Sequence, residues 1–151
     1  MSRWRPSVTV AAVIERGGRF LVVEEIANGQ RVLNQPAGHL DPGESLTQAV
    51  AREVLEETAH HFTPTALLGI YRWRHDKEED VTFLRFAFLG RVDGVEAGRK
   101  LDTEIIAAVW LTPAELAARR AEHRSPLVQQ CVDDYLAGRS FPLEVLSKPY
   151  A

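Results

Sequence analysis

Between Asp41 and Ala59 the chain carries the feature that most limits its fold. A turn, Asp41-Pro42-Gly43, is followed by a helix that caps itself and is bordered by carboxylates. Ser45 is a natural N-cap, and Gln48 three residues on completes a capping box, so the helix is expected to run from about Leu46 to Ala59. Leu46, Val50, Ala51, Val54 and Leu55 define its buried arc, with Glu53 and Glu57 at the edge of that arc. Glu53, Glu56 and Glu57 stand at i, i+3 and i+4, where like charges repel. At the margin of a core the repulsion grows because the local dielectric is lower. Something positive is expected there. Three oxygen-only donors suit a hard divalent cation, Mg²⁺ or Mn²⁺, bound together with substrate phosphates. Arg52 can pair with Glu56 one turn on or reach Glu44 in the preceding loop.

The remaining elements place this helix in a mixed α/β or α+β architecture. Val8–Ile14 reads as a buried strand, Gly17-Gly18 as a hairpin turn, and Phe20–Glu25 as the partner strand. Asn28-Gly29 marks the next turn. Leu67–Trp73 is strand-like, with Gly69 as a bulge. Val81–Leu89 is apolar on both faces and is expected at the centre of a sheet covered on both sides. Ile105–Leu111 is a further strand, followed by Thr112-Pro113 as a helix start. Pro126 opens a last helix with apolar residues at Leu127, Val128, Cys131, Val132, Tyr135 and Leu136, ended by Gly138. With 151 residues, a single domain over 1–151 is expected.

Composition excludes several function classes. A net charge of −3 disfavours a nucleic-acid partner bound through bulk positive charge. No apolar run reaches the length of a membrane span, and the N-terminus lacks the apolar core of a signal peptide. One cysteine, Cys131, permits no intrachain disulfide, which fits a cytoplasmic, reducing compartment. Cys131 lies on an apolar helical stripe and reads as a core thiol. Gly38-x4-Gly43-Glu44-Ser45 is no phosphate-binding P-loop, because Glu44 stands where lysine is required. His60 and His61 are sequence neighbours and read as favourable charge near a helix C-terminus. The run Asp76–Asp80 reads as a solvated hairpin tip.

Four side chains outside the helix are candidates for substrate contact. Tyr71 and Trp73 share one face of a strand and could stack on a base or pyrimidine ring. Arg85 sits in an apolar strand and needs a structural carboxylate or a substrate phosphate. Arg124 could close on phosphate.

Gly38, Glu44, Arg52, Glu53, Val54, Glu56 and Glu57 follow the pattern G-x5-E-x7-R-E-U-x-E-E, where U is a bulky aliphatic residue. One glycine, one arginine and four glutamates at fixed offsets arise by chance about once in 10⁷ windows. The segment resembles the signature of the Nudix hydrolases. Ala59 and His60 depart from it, standing where the family has glycine and an aliphatic residue, so a reshaped helix end is expected. Asn34–Leu40, Phe83–Phe86, Arg124–Val128 and Phe141–Glu144 are similar to the NudJ-type phosphatase branch.

The resemblance implies a Nudix-type α/β/α sandwich with a mixed β-sheet, and Mg²⁺-dependent hydrolysis of a diphosphate linked to another moiety. It implies that Glu53, Glu56 and Glu57 hold the metal together with the carbonyl of Gly38. Arg52 would orient Glu53, and Glu44 would be mainly structural. Glu53 is the first candidate for the general base, with Glu104 the alternative. The implied substrates are nucleoside di- or triphosphates or a small heterocyclic diphosphate of the thiamine-pathway pyrimidine kind, with release of orthophosphate. Two other readings are a MutT-like pyrophosphatase and a nucleotide-sensing module without turnover.

Overall fold

A computed structural model describes residues 2–75 and 80–148. The acidic run expected as a hairpin tip falls mostly outside the described residues. Asp80, its last member, pairs with Arg74 at 2.7 Å.

The strands are β1 (Ser7–Val13), β2 (Glu15–Arg16), β3 (Arg19–Ala27), β4 (Gln30–Asn34) and β5 (Ala37–His39), then β6 (His60–Arg74), β7 (Thr82–Val95), β8 (Ile105–Leu111) and β9 (Phe141–Pro142). The helices are α1 (Leu46–Thr58), α2 (Pro113–Ala118) and α3 (Leu127–Leu136). Five strands form one sheet in the order β5-β1-β7-β6-β9. Within it β1 and β7 run parallel and the other pairs antiparallel, so the sheet is mixed. As its apolar faces require, β7 is central. Val10, Ala12, Leu67 and Phe88 pack toward α1, whereas Val13, Leu68 and Ala87 pack toward α3. This is the expected α/β/α sandwich.

A second, antiparallel sheet joins β3 to β2, β4 and β8. It corrects the expected hairpin. Only Glu15 and Arg16 pair across the Gly17-Gly18 turn, with Phe20 and Arg19. The rest of β1 pairs with β5 and β7 instead. Val10 to Val13 are buried on both faces, and a strand of that kind belongs inside a covered sheet rather than in an exposed hairpin. At Ile14 the chain passes from one sheet to the other. The Asn28-Gly29 turn does form a tight hairpin between β3 and β4, with φ of 51° and 75° at its two residues.

The strand expected over Leu67–Trp73 is longer, because β6 begins directly after α1. Pro64 does not stop it; the register shifts directly after it, at Pro64/Ala66, the kind of irregularity where a strand tolerates proline. In α3, Leu136 is exposed rather than on the buried stripe.

The capping box of α1 is complete: Gln48 N–H donates to Ser45 Oγ at 3.1 Å and Ser45 N–H to Gln48 Oε1 at 2.9 Å. Its buried face differs from expectation. Ala49, Val50, Glu53, Val54, Glu57 and Thr58 are buried, whereas Leu46, Ala51 and Leu55 are only half-buried. The helix packs on β1, β5 and β6 of one sheet and also on β8 of the other. Cover from two directions widens the buried arc and draws two glutamates into it.

The helix end is not reshaped. Ala59 takes the left-handed position itself, at φ 60° and ψ 13°, and its N–H donates to Leu55 O at 3.0 Å. A Cβ there costs about 1–2 kcal/mol. Ala59→Gly removes that strain, and the freedom glycine gains in the unfolded chain takes back about 0.5–1 kcal/mol. The expected net gain is a melting temperature higher by ~2–4 °C. Calorimetry of the two proteins checks it, and an unchanged or lower midpoint contradicts the strain.

Candidate active site

Arg52 lies at the centre of the site. Its Nε donates to Glu44 Oε2 at 2.7 Å and its NH2 to Glu44 Oε1 at 2.8 Å. NH1 donates to Glu53 Oε1 at 2.9 Å and to Glu56 Oε1 at 2.8 Å, and NH2 also reaches the carbonyl of His39 at 3.0 Å. Glu44 in turn accepts from the N–H of Asp41 at 2.9 Å. The guanidinium thereby ties the turn before α1 to the acidic face of α1, a bidentate geometry that lysine cannot copy.

Glu53 and Glu56 gather with a residue absent from the sequence reading, Asp102. One carboxylate oxygen from each lies within 4.8 Å of the others. Asp102 arrives through the backbone: its N–H donates to the Glu56 carbonyl at 3.1 Å, one of the carbonyls that a helix C-terminus leaves free. The cue in sequence was the acidic pair Asp102 and Glu104 just before β8, of which Glu104 alone was singled out. Glu104 lines a cavity together with Glu53 but is not in this cluster. Glu57 is not in it either; its Oε1 accepts from the N–H of Ala37 at 3.0 Å, and both residues line that cavity.

Gly38 has a steric role that the sequence could not show. A Cβ on it would overlap the carboxyl group of Glu53. The strand and the helix approach so closely there that only glycine leaves room for the acid.

Burial pushes the Glu53 carboxyl up to about 7 against the pull of Arg52, and pushes Glu57 up to about 9 against the Ala37 hydrogen bond. Asp102 is raised too, by burial and then by the Glu56 charge. The site fits a divalent cation: its donors are hard oxygens, three of them converge, and burial disfavours their negative charge without a positive partner.

The cavity is about 340 Å³ in volume. Trp73, Arg85 and Arg124 line it, as do Gly38, Glu53, Glu57 and Glu104. Trp73 stacks on Phe83 across β6 and β7, with ring centroids 5.9 Å apart and planes 13° apart. Tyr71, expected beside Trp73 as a stacking platform, is absent from the lining. It packs toward α3, and its hydroxyl donates to Asp134 Oδ2 at 2.6 Å. Arg124 is paired with buried Glu25 at 2.6 Å. Glu25 and Thr9 also line the cavity and were not singled out from sequence, and Asn34 and His39, which line it too, entered only within the run Asn34–Leu40 and with no role; the pairing of distant strands brings them together there. Cys131 is a buried thiol. His60 is buried at the end of α1, with Nδ1 2.8 Å from the carbonyl of Thr58, and His61 meets Glu96 at 2.8 Å.

A model of the NUDIX domain matches residues 3–131. The chain belongs to the Nudix family. It is 36% identical over 143 residues to the phosphatase NudJ of Shigella boydii and to that of Escherichia coli K12, covering 95% of this chain and 92% of each relative. A NUDIX hydrolase from Nitrosomonas europaea has the same fold, with a TM-score of 0.93 at 52% identity over 96% of this chain and 98% of that one. A MutT NUDIX hydrolase from Burkholderia pseudomallei, 21% identical, shares the fold with a TM-score of 0.73, covering 87% of this chain and 98% of that one. This Nudix protein is a hydrolase of phosphoric anhydride bonds. Its family acts on small nucleotide or diphosphate substrates and generally uses divalent metals.

Two outcomes test the site. Gly38→Ala is expected to displace Glu53 and lower turnover by ~100-fold or more, as misplacement near 1 Å can do, while circular dichroism stays native. Normal turnover would mean that the contact is not needed. The second concerns pH. The raised values of Glu53 and Glu57 favour their protonated forms in the folded state. That stability is full below about 4.5 and is lost as pH rises through about 7 and 9. Metal-free protein should therefore melt at progressively lower temperature from pH 5 to pH 9, and Glu57→Gln, which cannot ionise, should flatten the fall. A pH-independent midpoint contradicts this reading.

Proposed function

We propose that this protein, as one domain over residues 1–151, is a Mg²⁺-dependent phosphohydrolase, with Mn²⁺ as a substitute. Its substrates are nucleoside di- or triphosphates or a small heterocyclic diphosphate, and it releases orthophosphate. The observation that carries the reading is the convergence of Glu53, Glu56 and Asp102 beside Arg52, with Glu53 also lining a cavity that holds two arginines and an aromatic pair. The likeness to relatives named phosphatase favours orthophosphate.

Glu53, Glu56 and Asp102 would hold the cation, with Glu57 and the carbonyl of Gly38 as further donors. When bound there, it would neutralise phosphate oxygens and acidify the attacking water. The protein's own groups do the rest. Glu53, held by Arg52 at 2.9 Å, takes the proton from that water. Glu104, on the cavity wall, is the alternative base. Water oxygen bonds to the outer phosphorus, the bond to the bridging oxygen breaks, and its electron pair stays with the departing group. Trp73 offers a ring face to the organic moiety, and Arg85 and Arg124 face its phosphates. Tyr71 acts at one remove, supporting α3 through Asp134. The small negative net charge argues against a nucleic-acid partner, and no helix among the described residues is long and apolar enough to cross a membrane. The lone buried thiol suits the cytoplasm.

The test is incubation with Mg²⁺ and a panel of nucleoside di- and triphosphates and pyrimidine diphosphates, followed by identification of the phosphorus released. Orthophosphate is expected. Pyrophosphate would turn the reading toward a MutT-like enzyme, and no release with any divalent ion toward a binding module. Glu53→Gln is expected to cut kcat by 10²-fold or more with the fold intact. Wild-type turnover in that variant removes Glu53 as the base.

A further inference from the structure

Among the described residues Arg85 is the one buried arginine or lysine, 6% exposed. It stands on β7 opposite Thr9 of β1, and Thr9 stands opposite His39 of β5. All three line the cavity, so one row of side chains crosses its floor. Neighbouring strands lie ~4.8 Å apart, which puts the backbone of Arg85 about 10 Å across the sheet from β5, where Glu53 presses on Gly38.

Among the described residues the partners of Arg85 are all neutral. NH1 donates to Gln35 Oε1 at 2.9 Å and touches Cys131 Sγ at 3.9 Å, and NH2 donates to Asn34 Oδ1 at 3.0 Å. Gln35 is itself fixed, because its Nε2 donates to the Val128 carbonyl at 2.9 Å. These acceptors set the plane of the guanidinium without cancelling its charge. A buried cation without a counter-charge is costly, and such groups persist where a ligand supplies the anion. Arg124 is different. It is half-exposed and already committed to Glu25. Of the two arginines in the cavity, Arg85 is the one to which no described carboxylate is hydrogen-bonded.

We propose that Arg85, held by Asn34 and Gln35, binds the phosphate that remains on the organic product, and so selects anhydrides over simple phosphate monoesters. The proposal rests on the hydrolase reading of the site. A diphosphate ester spans the cavity, with its outer phosphoryl group at the acidic end and its inner phosphate on Arg85. The electron pair freed by cleavage resides on the oxygen carried by that inner phosphate, beside the guanidinium. A monoester has only the outer phosphoryl group and leaves Arg85 unmatched.

The test separates this from hydrolysis itself. Metal-free protein in chelator is titrated calorimetrically with adenosine monophosphate, with adenosine as the neutral control. Wild type is expected to bind the monophosphate at least tenfold more tightly than the nucleoside. Arg85→Gln should weaken it by on the order of 10- to 100-fold, the range for a hydrogen bond to a charged group. Arg91→Gln, an exposed arginine on the same strand, should change it little. In turnover, the kcat/KM ratio of a diphosphate to its monoester should fall at least tenfold in Arg85→Gln. No preference for the monophosphate in wild type, wild-type binding in Arg85→Gln, or an equal loss in Arg91→Gln overturns the proposal. If Arg85→Gln does not fold, the arginine Nε–H resonance of Arg85 in wild type decides: it moves on titration, or the proposal fails. Absent turnover with intact monophosphate binding would remove the hydrolase reading and leave the anion site.

Discussion

Arg52 holds together what α1 would otherwise push apart. Glu53 and Glu56 lie one turn apart and share its NH1, while Glu44 takes the other edge of the fork. Without that cation the acids would repel across a half-buried surface, and the turn before the helix would lose its main tie to the helix body. The side chain is only 27% exposed and Glu44 15%, so the pair is shielded enough for its attraction to matter. One side chain thus serves the fold and the chemistry. The capping box sets where the helix starts, and Arg52 sets where its acids point.

The packing of α1 against two sheets explains why those acids are unusual. A helix on one sheet would have left Glu53 and Glu57 at the rim, in reach of water. The contact with β8 closes the second side and draws both into the buried face. Their raised pKa values follow from burial first and from neighbouring carboxylates second. The same helix recruits the third acid: its free carbonyl at Glu56 binds the N–H of Asp102, so an ordinary need of a helix terminus brings a carboxylate to the cluster.

Much of this could be read from residue spacing. The cap at Ser45, the reach of Arg52 and the convergence of Glu53 with Glu56 all follow from helical periodicity, because the partners lie within a few residues of one another. The central place of β7 followed from its two apolar faces. What stayed hidden depends on pairing between distant segments. Val8–Ile14 looked like half of a hairpin because the nearest turn suggested it, yet its apolar run from Val10 to Val13 fitted the interior of the other sheet. Tyr71 and Trp73 have the right spacing to share a role, and only the position of α3 separates them. Asp102 and Glu104 are equivalent as letters; a backbone hydrogen bond distinguishes them. Ala59 misled in the other direction, since the side chain suggested another geometry while the hydrogen bond to the Leu55 carbonyl and the strand that follows at once fit the left-handed turn.

The crossing of the chain at Ile14 bears on how such a protein can diverge. Because β1 leaves one sheet and β3 runs in the other, the cavity is a seam between two separately hydrogen-bonded layers. Leu21, Phe62 and Trp110 from both layers pack in one cluster with Ala49, Val50 and Val54, so the helix that carries the acids rests on both. Exchanging a residue on the other face of the first sheet, such as Val13, Leu68 or Ala87, leaves that cluster untouched while it moves the face that carries Thr9 and Arg85. Ligand preference can thus drift through interior substitutions that never touch a ligand, which gives a lineage room to change what it accepts while the reacting centre stays constant.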